Sequence, residues 1–119
     1  MSKKNTVQTK RIYEDASAHD GYRILVDRLW PRGISKEAAQ LDEWNKTVAP
    51  SSTLRKWFAH REDRFKEFEA RYRDELKLQT KELDNLKQRS AKQPITLLYA
   101  AKNPKTNHAI VLAQVLREL

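Results

Sequence analysis

Ile95-Thr96-Leu97-Leu98-Tyr99-Ala100-Ala101, with the loop Lys102 to Thr106 and then Asn107 to Leu119, sets the architecture of this chain. The first stretch puts apolar side chains on both faces of an extended chain, the pattern of a strand covered on both sides. Pro94 stops any helix that precedes it. After the polar loop, the Asn107 side chain is suited to cap a helix whose Val111, Leu112, Val115, Leu116 and Leu119 form an apolar stripe. A buried strand feeding an amphipathic helix through a short loop is half of a parallel α/β unit.

Upstream, Phe65, Phe68, Tyr72, Leu76, Leu83 and Leu86 recur at helical spacing between charges. They predict one long or once-broken amphipathic helix from Arg61 to about residue 91. Ser51 or Ser52 caps a helix over Leu54 to Phe58, and Ser35 caps a shorter one through about Leu41. Asp20-Gly21 marks a turn before a second strand, Tyr22 to Arg28, whose Ile24-Leu25-Val26 run suits burial on both faces. Val7 to Tyr13 alternates and carries β-branched residues, as an edge strand does. The expected architecture is α/β, a small, mainly parallel three-stranded sheet with helices around it and a long helical crossover between the second and third strands. The first strand's direction stays open, because Tyr13 to Tyr22 is shorter than the dozen or so residues that a parallel crossover normally takes.

The chain has 119 residues, so residues 1–119 are read as a single domain. Charged residues make up 34% and hydrophobic ones 39%, which predicts a small core, enriched by three Trp, four Tyr and three Phe. The formal charge of +8 favours anionic partners, a small phosphate or carboxylate or a nucleic acid. Residues 37–90 hold 12 basic and 11 acidic side chains, so the excess sits toward the two ends. Without cysteine there is no disulfide, thiolate metal site or cysteine nucleophile. No apolar run is long enough to span a membrane and no signal region opens the chain, so a cytoplasmic protein with no membrane association is expected.

Two polar clusters fall at strand ends, where open parallel sheets place their ligand crevice. One is Asp27-Arg28-Leu29-Trp30-Pro31-Arg32-Gly33, a loop broken by Pro31 and Gly33; the other runs from Lys102 to His108. Arg28 and Arg32 can contact an anion bidentately, and the helix start at Asn107 offers free N–H groups and a positive dipole end. Asp27 and His108 are the catalytic candidates, Asp27 as base or as the group orienting an arginine, His108 as acid or base. Trp30, Tyr99, Asn107 and His60 complete the ligand-binding candidates, with Tyr99 as the floor. The ordinary alternatives are a local Asp27–Arg28 ion pair, a packing role for Trp30 and a helix C-terminal role for His60. A zinc set from Asp27, His60 and His108 lacks any short ligand spacing, so no metal is expected. With two glycines in the chain there is no phosphate-binding or dinucleotide-binding glycine loop, and no cofactor is expected.

Asp27-Arg28-Leu29-Trp30-Pro31-Arg32-Gly33, Leu41-Asp42-Glu43-Trp44, Ala49-Pro50-Ser51, Leu54-Arg55-Lys56, Leu97-Leu98-Tyr99-Ala100-Ala101-Lys102 and Asn107-His108-Ala109 are similar to the YeaO-like branch of a bacterial family of unknown function. The resemblance spans nearly the whole chain. It implies a small cytoplasmic α/β protein and carries no activity or cofactor with it. The leading expectation is a small-ligand protein, with or without enzymatic activity, that binds an anionic group between the Arg28 to Arg32 loop and the helix starting at Asn107. A nucleic-acid-binding accessory or regulatory protein is the alternative, and a partner-binding module using residues 61–91 is the third.

Overall fold

The structure, a computed structural model, describes residues 6–119. Its centre is the stretch from Ile95. Strands β1 (Val7–Arg11), β2 (Tyr22–Leu25), β3 (Glu43–Trp44) and β4 (Ile95–Tyr99) form one sheet in the order β1-β4-β2-β3, with every pairing parallel. All five residues of β4 are buried, as its apolar residues on both faces require.

The sheet has four strands rather than the expected three. Glu43-Trp44 shows no alternation to read. It is a strand only because Asp42 N and Asn45 N donate to Arg23 O and Leu25 O, each at 2.9 Å. The first strand's direction is also settled as parallel: β1 pairs with β4 from Val7 opposite Ile95 to Arg11 opposite Tyr99. Its connection to β2 is short because it contains no α-helix. A 3-10 turn over Ala18–Asp20, closed by reciprocal Ser17 and Asp20 side-chain bonds, is tied to β4 by the Thr96 hydroxyl donating to Asp20 O at 2.7 Å. Gly21 comes next at φ +63°, where a Cβ would lie 2.1 Å from Pro94 O; both the backbone angle and the close approach require glycine.

Asp20 and Arg23, 4% and 5% exposed, form a buried ion pair near the start of β2. Lys10 bonds the second Asp20 oxygen at 2.8 Å, and the Arg23 guanidinium also donates to Ala39 O and Gln40 O.

One face of the sheet is covered by α2 (Ser52–Phe58), α3 (Phe65–Leu76), α4 (Thr80–Lys92) and α5 (His108–Glu118). The other carries α1 (Lys36–Ala39) and the Trp30 loop. Ser35 and Ser51 cap α1 and α2 through the N–H groups of Ala38 and Leu54, which decides between Ser51 and Ser52. The long helix is broken at 77–79, where Leu78 N and Gln79 N turn back to Glu75 O and Leu76 O. Periodicity cannot reveal the break, because Leu76 and Leu83 lie about two helical turns apart on either side of it. The Phe68, Tyr72 and Leu83 side of these helices lies in the protein's own core, so it is not free for a partner helix. Of the stripe expected on the last helix, Val115 is only half-buried and Leu119, just past the end of α5, is 57% exposed, so the buried part is Val111, Leu112 and Leu116. No helix among the described residues is long and apolar enough to cross a membrane.

Candidate functional site

Because the strands run parallel, their carboxyl ends meet along one edge, where a cleft of about 910 Å³ opens. β2 contributes through its continuation, Val26 and Asp27. Val26 N bonds Leu98 O at 3.0 Å, and then the chain departs and Asp27 continues the pairing with its side chain, accepting from Ala100 N at 2.9 Å. The other Asp27 oxygen lies 2.9 Å from His108 Nε2, which is also 3.0 Å from Val26 O. Both neighbours of Nε2 are acceptors, so this nitrogen carries the hydrogen and Nδ1 is left for chemistry. His108, on the second polar cluster, and Asp27, on the first, are therefore in direct contact. Asp27 does not orient an arginine, and the alternative Asp27–Arg28 ion pair does not form either.

The helix that carries His108 is aimed by Asn107, whose side-chain oxygen accepts from Ile110 N at 3.1 Å while its amide donates to Asn103 O at 2.8 Å. Asn103 in turn accepts from Lys105 N and Thr106 N and donates to Glu62. Tyr72 stands edge-on to the His108 ring, with centroids 6.3 Å apart, and its hydroxyl donates to Val48 O. Burial, with the Glu75 and Asp27 charges adding to it, pushes the Tyr72 hydroxyl far above the ordinary phenol range, so it is a fixed donor.

The two arginines of the Asp27 to Gly33 loop part company. Arg28 donates to Pro50 O and Ala49 O, each at 3.2 Å, and so ties the loop to the start of α2. Arg32 is exposed and its guanidinium has no partner among the described residues; only its backbone oxygen is used, by the Tyr13 hydroxyl at 2.8 Å. Trp30 is half-buried, donates to Ile34 O at 2.8 Å and meets the Trp44 ring at 5.3 Å; it lines the cleft while packing in the loop. His60 reaches the cleft from a pair of left-handed residues after α2, Ala59 at φ +47° and His60 at +59°. Tyr99, expected as the floor, is 3% exposed and faces the helix-covered core instead, because alternate residues of a strand face opposite ways. Burial, reinforced by the Glu14 charge, pushes its hydroxyl up despite the Asn107 side chain and Arg11.

Arg11, Arg55 and Lys102 also line the cleft. Arg11 is at the carboxyl end of β1, where it donates to Ala101 O and covers the Tyr13 ring. Knowing the direction of β1 would have exposed it. Arg55 enters the sequence reading only through the Leu54-Arg55-Lys56 block of the resemblance, which assigns it no role, and neither it nor Lys102 has a side-chain partner among the described residues. In all, five arginine and lysine side chains face two carboxylates, Asp27 and Glu62, in the lining.

A family model described as "Inactive DUF488-N3 subclade" matches residues 6–119. The chain is 50% identical over 113 residues to the uncharacterized protein YeaO of Escherichia coli, a match covering 95% of this chain and 98% of that protein. It is 43% identical over 118 residues to the uncharacterized protein Rv3073c of Mycobacterium tuberculosis, covering 98% of each. No solved structure matches. By the family model and by these near full-length identities, the chain belongs to the inactive DUF488-N3 subclade, a YeaO-like family of unknown function.

Proposed function

We propose that the cleft at the carboxyl edge binds a small molecule through a phosphate or carboxylate group, and that Arg32, Arg55 and Lys102 hold the anion. One observation carries the reading: these three cations line the same cavity and none has a carboxylate or hydrogen-bond partner among the described residues. Arginine forks suit a planar or tetrahedral oxyanion, and the first turn of α5 adds N–H groups that Asn107 leaves free. His108, its ring held by Asp27 through Nε2–H, leaves Nδ1 as an acceptor in the neutral ring and as a donor to the anion in the protonated ring. The hydroxyls in the lining are those of Tyr13 and Thr106, and the description of the subclade as inactive favours binding over turnover. In an enzymatic version of the site, His108 Nδ1 is the atom that moves a proton, and Asp27 orients the ring rather than acting as the base.

Arg28 belongs to the scaffold in this reading, so replacing it would confuse binding with loop collapse. Titration calorimetry with inorganic phosphate should detect binding to the protein, and an Arg32→Ala/Arg55→Ala double variant with an unchanged circular dichroism spectrum should lose it. Phosphate that fails to bind the unmodified protein, or binds the double variant equally well, defeats the reading. The nucleic-acid alternative predicts something else: retardation of a short duplex or single strand in gels, with affinity falling steeply as salt rises.

A further inference from the structure

Resting on that anion-binding reading, we infer that the ligand is an organic anion with an apolar, ring-sized body, held by two chemically different walls. The cavity of about 910 Å³ is far larger than a bare phosphate needs and falls in the range of about 300–1,000 Å³ that accommodates organic ligands. Besides the free cations, the lining holds Leu29, Trp30, Pro31 and Pro50, together with Phe58 and Phe68 from the core. Leu29 is the telling residue, since it is 58% exposed although it sits in a tightly held loop.

That loop is fastened on both sides of Leu29. Before it, Asp27 is bonded to Ala100 N and Arg28 to the Ala49 and Pro50 carbonyls. After it, the Trp30 indole bonds Ile34 O and the Tyr13 hydroxyl bonds Arg32 O. The chain therefore holds a large apolar side chain in water at the cleft by the same bonds that place Arg32. A ligand with an apolar body removes that surface from water without first ordering the loop, so the burial goes directly into affinity.

The test compares inorganic phosphate with phenyl phosphate by calorimetry on the full chain. Phenyl phosphate should bind at least about tenfold more tightly, a difference of about 1.4 kcal/mol. Leu29→Ser, a change at an exposed position, should remove most of that advantage and leave phosphate affinity unchanged. Arg32→Ala/Arg55→Ala should weaken both ligands. Equal affinities in the unmodified protein, or an advantage that Leu29→Ser does not reduce, would overturn the two-wall inference while the anion reading stands on the phosphate result. Absence of binding by either ligand overturns both.

Discussion

Replacing Asp20 by alanine should destabilise the protein by about 3 kcal/mol. Asp20 and Arg23 are 4% and 5% exposed, and removing one member of a buried pair costs about 3–5 kcal/mol because the other charge is stranded. The lower end applies here. Arg23 keeps the carbonyls of Ala39 and Gln40, and Lys10, with 19% of its side chain exposed, can turn to solvent. For a chain of this size the loss corresponds to a fall of about 12 °C in Tm. Urea unfolding followed by circular dichroism measures it, with an unchanged slope showing that the two end states are the same.

The pH dependence supplies a second arm. Burial pushes the Asp20 carboxyl up, but bonds from Lys10, Ser17 N and Arg23 outweigh it and hold the group below its ordinary 3.8. A carboxyl whose pKa is depressed on folding contributes stability that is fully present above the unfolded value and is lost as pH falls through the folded value. The gap between protein and variant should therefore be constant from neutral pH to about pH 4 and narrow below it. A loss under about 1 kcal/mol, the worth of an exposed ion pair, or a gap that persists to acid unfolding, would rule out a stabilising buried charge pair at this position.

Other perturbations separate local from tertiary causes. Gly21→Ala should cost more than about 3 kcal/mol, because its Cβ meets Pro94 O at 2.1 Å; Gly33→Ala, at φ +76° with nothing within 4 Å, should cost only about 1 kcal/mol, and chemical denaturation compares the two. Asn107→Ala removes the α5 cap and the bond to Asn103 O, for a loss of about 1–2 kcal/mol measured by thermal melting. Tyr72→Phe leaves Val48 O without its hydroxyl partner; a loss of about 1–2 kcal/mol in urea is expected, and no loss would show that water replaces the hydroxyl.

Much of the site was legible because its parts are local. Asp27 and Arg28 come directly after an apolar run and Asn107-His108 opens an amphipathic stretch, so strand ends and a helix start bring both to one edge. The roles inside the cluster were not legible. Arg28 and Arg32 are the same residue type four positions apart, yet one is consumed by the carbonyls of Ala49 and Pro50 and the other is left free. Nor does the Leu54-Arg55-Lys56 block say that Arg55 faces the cleft before α2 is packed against the sheet.

Elements whose signal lies within about a dozen residues could be read from the chain alone: the two-faced apolar run of β4, the caps Ser35, Ser51 and Asn107, and the apolar stripe of the crossover helices. Periodicity and capping are short-range physics, and neighbours in the chain carry them. Packing alone settled that β1 runs parallel, that Glu43-Trp44 is a strand, that Tyr99 faces the core and that Asp27 bonds His108 rather than Arg28. The hydrogen bonds behind these outcomes reach partners many residues away, Arg23 O and Leu25 O for β3, Ala100 N and His108 for Asp27. A donor or acceptor in the chain does not choose among such partners until packing has brought one of them within about 3 Å.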